Sequence, residues 1–207
     1  MAKIIKVDSE NPHTEEAVRI IRDGGVIAFP TDTLYGLGAS IFHEGALNRI
    51  FEIKERDPSK PIPLLIPDVE VLSSLVTEVS NSARHFMDIF WPGPLTLVFK
   101  ASAEIPKICL GGGDTIGVRM PDSPVAETLV REVGLPLTAT SANLSGGPAP
   151  TSARIVEESI GDRIDLIVDG GVCEDPRPST LIDVSGAKPK ILREGRIPYE
   201  TLRRFLS

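Results

Sequence analysis

Leu95-Thr96-Leu97-Val98-Phe99-Lys100 and Thr115-Ile116-Gly117-Val118-Arg119-Met120 decide how this chain is read. Both are short apolar runs that read as strands. Pro92-Gly93-Pro94 precedes the first, and a glycine-rich loop, Gly111-Gly112-Gly113, leads into the second. No helical pattern lies between them, and other strand pairs also lack one. A mixed sheet is therefore predicted rather than an all-parallel one.

Working outward, Lys3–Val7 reads as a strand. Asn11-Pro12 reads as an N-cap and first-turn proline for a helix carrying Ala17, Ile20 and Ile21, stopped by Gly24-Gly25. Val26–Phe29 is a short strand. Leu47, Ile50 and Phe51 have helical spacing that ends near Asp57-Pro58. Ile62–Ile66 reads as a strand, Asp68–Val76 as a helix, and Val79, Ala83, Phe86 and Phe90 mark another helix. Beyond Met120, Ser123-Pro124 opens a helix closed by Gly134. A strand at Leu135–Thr140 and a helix at Thr151–Ile160 follow. Strands at Ile164–Val168, Thr180–Val184 and Lys190–Arg193 precede a terminal helix, Pro198–Leu206. The expectation is an α/β chain with α+β character, one domain over residues 1–207.

The formal net charge of −7 argues against bulk binding to nucleic acid or anionic membrane, so any polyanion site must be a local basic patch. Cys109 and Cys173 form no CxxC, which leaves zinc and redox motifs out and favours two thiols in a reducing cytosol. The N-terminus carries no apolar leader and no stretch approaches a membrane span, so a cytoplasmic location is expected.

The chemistry-bearing residues lie in the connections. Pro30-Thr31-Asp32-Thr33-Leu34-Tyr35-Gly36-Leu37-Gly38 follows a strand and offers hydroxyls, one carboxylate and two glycines to a small polar ligand; the competing reading is a tight turn. It lacks the third glycine of a dinucleotide fingerprint. In Lys54-Glu55-Arg56-Asp57-Pro58-Ser59-Lys60-Pro61, Pro58 unwinds the helix, so that Lys54, Arg56 and Lys60 can converge on phosphates or carboxylates. The competing reading is a solvated helix end. Thr138-Ala139-Thr140-Ser141-Ala142-Asn143-Leu144-Ser145-Gly146-Gly147 leaves a strand end and, if extended, points Ser141 and Asn143 the same way as neutral donors and acceptors. Against it stands a polar loop capping the sheet. Thr115 and Arg119, four apart on one strand, share a face. Ser179 precedes a strand, and Arg193 ends one, where it either meets a ligand or pairs with Glu194.

Taken together and in order, PTDTLYGLG, KERDPSKP, TIGVRMPD, TSANLSGG, STLIDV and ILREG resemble the YrdC-like family of threonylcarbamoyl-AMP synthases. They run from Pro30 to Gly195. The resemblance implies a twisted mixed α/β sheet with flanking helices around a concave, basic cavity. It also implies a nucleotidyltransferase reaction in which L-threonine, bicarbonate or CO2, and ATP give threonylcarbamoyl-AMP, pyrophosphate and water. A separate transferase then modifies adenosine 37 of tRNA, with a weak direct tRNA contact left open. The family's threonine site falls on Thr33, Arg119 and Ser179, with the backbone of Ala139. Its nucleotide site falls on Lys54, Arg56, Lys60, Thr115, Ser141, Asn143 and Arg193, with Lys54 and Arg56 stabilising phosphate charge. A related subfamily of unclear activity tends to lack the Ser-x-Asn pair, so Ser141 and Asn143 favour the synthase. Mg²⁺ is expected to ride on the ATP phosphates without a protein ligand. Leu65 departs from a histidine found in some members, and Lys60 from a frequent asparagine. Larger members add a C-terminal domain, and the single-domain form is expected here. The rival expectation is a non-catalytic module that binds double-stranded RNA or tRNA through the same cavity.

Overall fold

A computed structural model describes residues 1–8 and 12–206 of the 207-residue chain. β1 (Lys3–Lys6) leads to α1 (Glu15–Arg22). Glu15 and Glu16 lie in the first turn of α1 and Arg19 and Arg22 toward its end, each charge matched to the helix dipole. The expected N-cap, Asn11, lies outside the described residues, and Thr14 occupies the N-cap position. Next come β2 (Ile27–Phe29) and β3 (Gly36–Gly38). β3 replaces part of the expected turn. Its glycines leave one face bare, and the Phe29 ring fills it: a Cβ on Gly38 would stand 2.4 Å from Phe29 Cε1.

α2 (Glu44–Lys54) stops where Glu55 turns left-handed, at φ 49°. β4 (Leu64–Leu65), α3 (Leu72–Leu75) and α4 (Asn81–Phe90) follow. The Ser80 hydroxyl caps α4 by accepting from the Ala83 N–H at 3.2 Å. The two deciding runs become β5 (Leu95–Lys100) and β6 (Thr115–Arg119), paired antiparallel. α5 (Pro124–Val133) starts on its proline and ends at Gly134, φ 74°. The remaining elements are β7 (Leu137–Thr138), β8 (Thr140–Ser141), α6 (Ala153–Ile160), β9 (Leu166–Asp169), β10 (Thr180–Asp183), β11 (Lys190–Arg193) and α7 (Tyr199–Leu202).

The mixed α/β character expected from the sequence is divided between two sheets. One runs β1-β9-β2-β3-β8, with β1, β9 and β2 parallel and β3 antiparallel to both its neighbours. The other runs β11-β10-β5-β6-β4-β7, with parallel pairs β10/β5 and β4/β6. The strand expected at Leu135–Thr140 is split between them: Leu137–Thr138 pairs with β4, and Thr140–Ser141 pairs with β3. The crossing residue is Ala139, whose N–H donates to Pro63 O at 2.7 Å. Thr138 ties the sheets at this point, donating its N–H to Ala39 O and its hydroxyl to Leu37 O.

Alternation along the strands sorts the core. Ile27, Phe29, Leu166 and Val168 face α1 and α5, where Ala17, Ile21, Val125 and Leu129 are buried. Ala28 and Ile167 face the opposite way, onto Ile50 of α2 and Val156 and Ile160 of α6. Helices thus cover both faces of the centre of the first sheet, which is why β2 and the Leu166–Val168 part of β9 read as unbroken apolar runs. In the second sheet Leu97, Phe99, Ile116 and Val118 pack on Phe86 and Leu202. Each such buried side chain contributes about 1.5–3 kcal/mol. No helix among the described residues is long and apolar enough to cross a membrane. Both cysteines are free thiols, and burial pushes Cys109 up to about 12.

Candidate functional site

A cavity of about 480 Å³ opens beside the crossing at Ala139 and is lined from both sheets. That volume lies within the range of small-molecule sites. The two-residue period of the strands builds its floor. Thr115, Gly117 and Arg119 of β6 face the cavity while Ile116 and Val118 face the core; Thr96 and Val98 do the same on β5. Thr31, residues 33–36 and Ser141 supply the wall from the first sheet, and Arg56, Lys60 and Pro61 the rim.

Among the described residues, the lining carries four cations, Arg56, Lys60, Arg119 and Arg193, and no carboxylate. Arg119 is nearly buried. Its Nε donates to Gly93 O and its Nη1 to Thr33 Oγ1, both at 2.9 Å, and its Nη2 donates to Asp32 Oδ1. Those bonds use three of five N–H donors and leave two for a ligand. Burial pushes the guanidinium below its ordinary range, Asp32 opposes that, and Arg196 and Arg193 add to it. The group stays charged, because guanidinium is not deprotonated in proteins.

At the other end, Arg193 donates to Ser179 O at 2.8 Å instead of pairing with Glu194, and burial lowers it too. The Ser179 hydroxyl shares a hydrogen bond with Thr96 Oγ1 at 2.7 Å. Arg56 donates to Pro61 O at 2.9 Å, which curls the 56–61 segment around its guanidinium.

Nine residues expected at the site therefore share one cavity: Thr33, Arg56, Lys60, Thr115, Arg119, Ala139, Ser141, Ser179 and Arg193. Lys54 and Asn143 stand behind its wall. The cause is the helix end: α2 continues through Lys54 on its buried side, and the left-handed turn at Glu55 swings only Arg56 into the cavity. Leu65 lines the cavity with an apolar surface. Sequence reading passed over Thr96, a hydroxyl on an apolar strand, and Arg196, which donates to the Asp32 backbone carbonyl. It also gave Asp32 no part in holding Arg119. The visible signals were a lone polar residue on a strand and a second cation three residues after Arg193.

The family model for Sua5, YciO and YrdC proteins, described as "Telomere recombination", matches residues 19–195. The chain belongs to this family. The threonylcarbamoyl-AMP synthase of Pyrococcus abyssi is 42% identical over 190 residues, which is 92% of this chain and 56% of that protein. The chain thus spans little more than half the length of that Sua5/YciO/YrdC relative. The structure of P. abyssi Sua5 complexed with L-threonine superposes with a TM-score of 0.93 at 39% identity, over 99% of this chain and 61% of that one. Escherichia coli YciO superposes with a TM-score of 0.89 at 31% identity over the full length of both.

Proposed function

We propose that this chain is an L-threonylcarbamoyladenylate synthase, a nucleotidyltransferase that serves tRNA modification. The observation that carries the reading is the cavity: four cations, no carboxylate, and hydroxyls at both ends. The name of the P. abyssi relative and the threonine in its Sua5 structure support it.

Every reactant is an anion or becomes one, so the site's work is neutralisation and alignment. In this reading the two uncommitted N–H groups of Arg119 hold the threonine carboxylate, and Thr33 and Ser179 position the rest of the amino acid near the Ala139 backbone. Carboxylation of the amine gives a carbamate. A carbamate oxygen attacks the α-phosphorus of ATP, the bond to the β-phosphate breaks, and pyrophosphate leaves; water comes from bicarbonate. Arg56, Lys60 and Arg193 offset the phosphate charge, with Thr115 and Ser141 along the nucleotide. Among the described residues the lining offers hydroxyls but no carboxylate, which fits a magnesium ion carried in on the ATP phosphates and keeping its waters. A separate transferase then carries the threonylcarbamoyl group to adenosine 37 of tRNA. The alternative of an RNA-binding module gains nothing from cations gathered inside a concavity on a chain of net charge −7.

The test is mass spectrometry of products from ATP, bicarbonate and L-threonine. Threonylcarbamoyl-AMP and stoichiometric pyrophosphate, dependent on all three, are expected. Pyrophosphate release indifferent to threonine would overturn the reading.

A further inference from the structure

Lys54 is the last residue of α2, 1% exposed, and absent from the cavity lining. An ammonium has three hydrogens. Here they face three protein oxygens: Ser141 O, Asn143 O at 2.7 Å, and Asn143 Oδ1 at 3.2 Å. The Lys54 carbonyl in turn accepts from Ser145 N–H at 2.9 Å. The helix end is thus plugged into the loop that follows β8.

This plug dictates the chemistry of Ser141. Asn143 must turn its oxygen toward Lys54, because the flipped amide would set an NH2 against the ammonium. Its Nδ2 then donates to Gly147 O at 3.1 Å and Pro148 O at 2.9 Å. With Oδ1 fixed, the Ser141 hydroxyl spends its single hydrogen on it, at 2.7 Å. Ser141 is the member of this group that lines the cavity, and it meets a ligand with lone pairs alone.

We infer that Lys54 is a positioning residue that acts through Asn143 on Ser141, and that Ser141 accepts a hydrogen bond from an O–H or N–H group of the bound nucleotide rather than donating to a phosphate. The inference deepens the nucleotide reading above and rests on it.

The first experiment is acetic anhydride labelling of the native chain, with and without ATP, mapped by peptide mass spectrometry. Burial pushes the Lys54 ammonium down to about 7, so an accessible Lys54 would label faster than an ordinary lysine. Lys54 is expected to resist labelling in both states, while ATP protects Lys60. Ready labelling of Lys54 that ATP suppresses overturns the inference. If ATP protects nothing, both the inference and the nucleotide reading fall. ATP protection without threonylcarbamoyl-AMP formation sinks the synthase reading alone.

The second experiment is a double-mutant cycle on ATP affinity. Lys54→Met and Asn143→Ala are each expected to weaken binding about tenfold, and the pair by no more than about threefold beyond the weaker single variant. Losses that multiply to about a hundredfold show independent action of Lys54 and overturn the inference. The labelling uses the unaltered chain, so it decides the matter even where Lys54→Met does not fold. Replacing a ribose hydroxyl or the base amino group of ATP one at a time locates the donor: one deletion is expected to lose its penalty in Ser141→Ala. Equal penalties in both proteins for every deletion overturn the acceptor role.

Discussion

Arg119 in the cavity wall and Asp32 behind it form an ion pair, with 7% and 10% of their side chains exposed. One oxygen, Asp32 Oδ1, takes both the Arg119 guanidinium and the Asp122 N–H; Oδ2 is buried without a hydrogen-bond partner among the described residues. Removing one member of a buried pair strands the other charge away from water. Asp32→Ala is therefore expected to cost about 3–5 kcal/mol of folding stability. Urea unfolding checks this, and a loss below about 1 kcal/mol would mean that the pair is solvated as a surface bridge is.

Arg119 keeps two N–H donors for a ligand. On the synthase reading, Arg119→Ala should weaken L-threonine binding by about tenfold to a hundredfold, the worth of charge-assisted hydrogen bonds to a carboxylate. ATP binding should change much less. Calorimetric titration of each ligand measures this directly, and equal losses would contradict the division of the cavity.

Gly195 holds the Ser179 end of the cavity in place. A Cβ there would stand 2.3 Å from Pro178 O and 2.6 Å from the Ser179 carbonyl. Backbone cannot swing aside as a flexible side chain can, so Gly195→Ala should cost about 1–3 kcal/mol. Because the Ser179 carbonyl is the acceptor for Arg193, ligand affinity should fall with it. Gly186→Ala, where a Cβ meets nothing within 4 Å, is the control and should melt close to the unaltered protein.

The buried ammonium of Lys54 sets a pH dependence. Burial, then the nearby Arg56, lower it to about 7, below the value of about 10.4 for an unfolded lysine. Between those values the unfolded chain binds more protons than the folded one, so stability rises with pH, by at most about 1.4 kcal/mol per unit. The gain is lost as pH falls through about 7. Denaturant midpoints from pH 6 to pH 10, compared with Lys54→Met, should show this slope in the unaltered chain and its absence in the variant.

Some of this site could be read directly. Thr115 and Arg119 share a face because a strand alternates every two residues, a local rule that needs no partner. Ser123-Pro124 and Gly134 bracket α5 for equally local reasons. The convergence expected of Lys54, Arg56 and Lys60 was only partly realised. It turns on Glu55, a non-glycine residue at φ 49°, and residue type rarely announces that conformation. β3 was hidden as well, since two of its three residues are glycines whose bare faces make sense only against Phe29.

Composition, period and punctuation along the chain were enough to establish a mixed α/β protein whose cations and hydroxyls gather in the connections and on the strands beside them. Tertiary structure alone decided that Ala139 crosses between two sheets, and on which side of the cavity wall each polar side chain stands. Lys54 meets Ser141 and Asn143 across 87 and 89 residues of chain. A hydrogen bond spanning that distance depends on how both sheets pair, and no local pattern of residues carries that information.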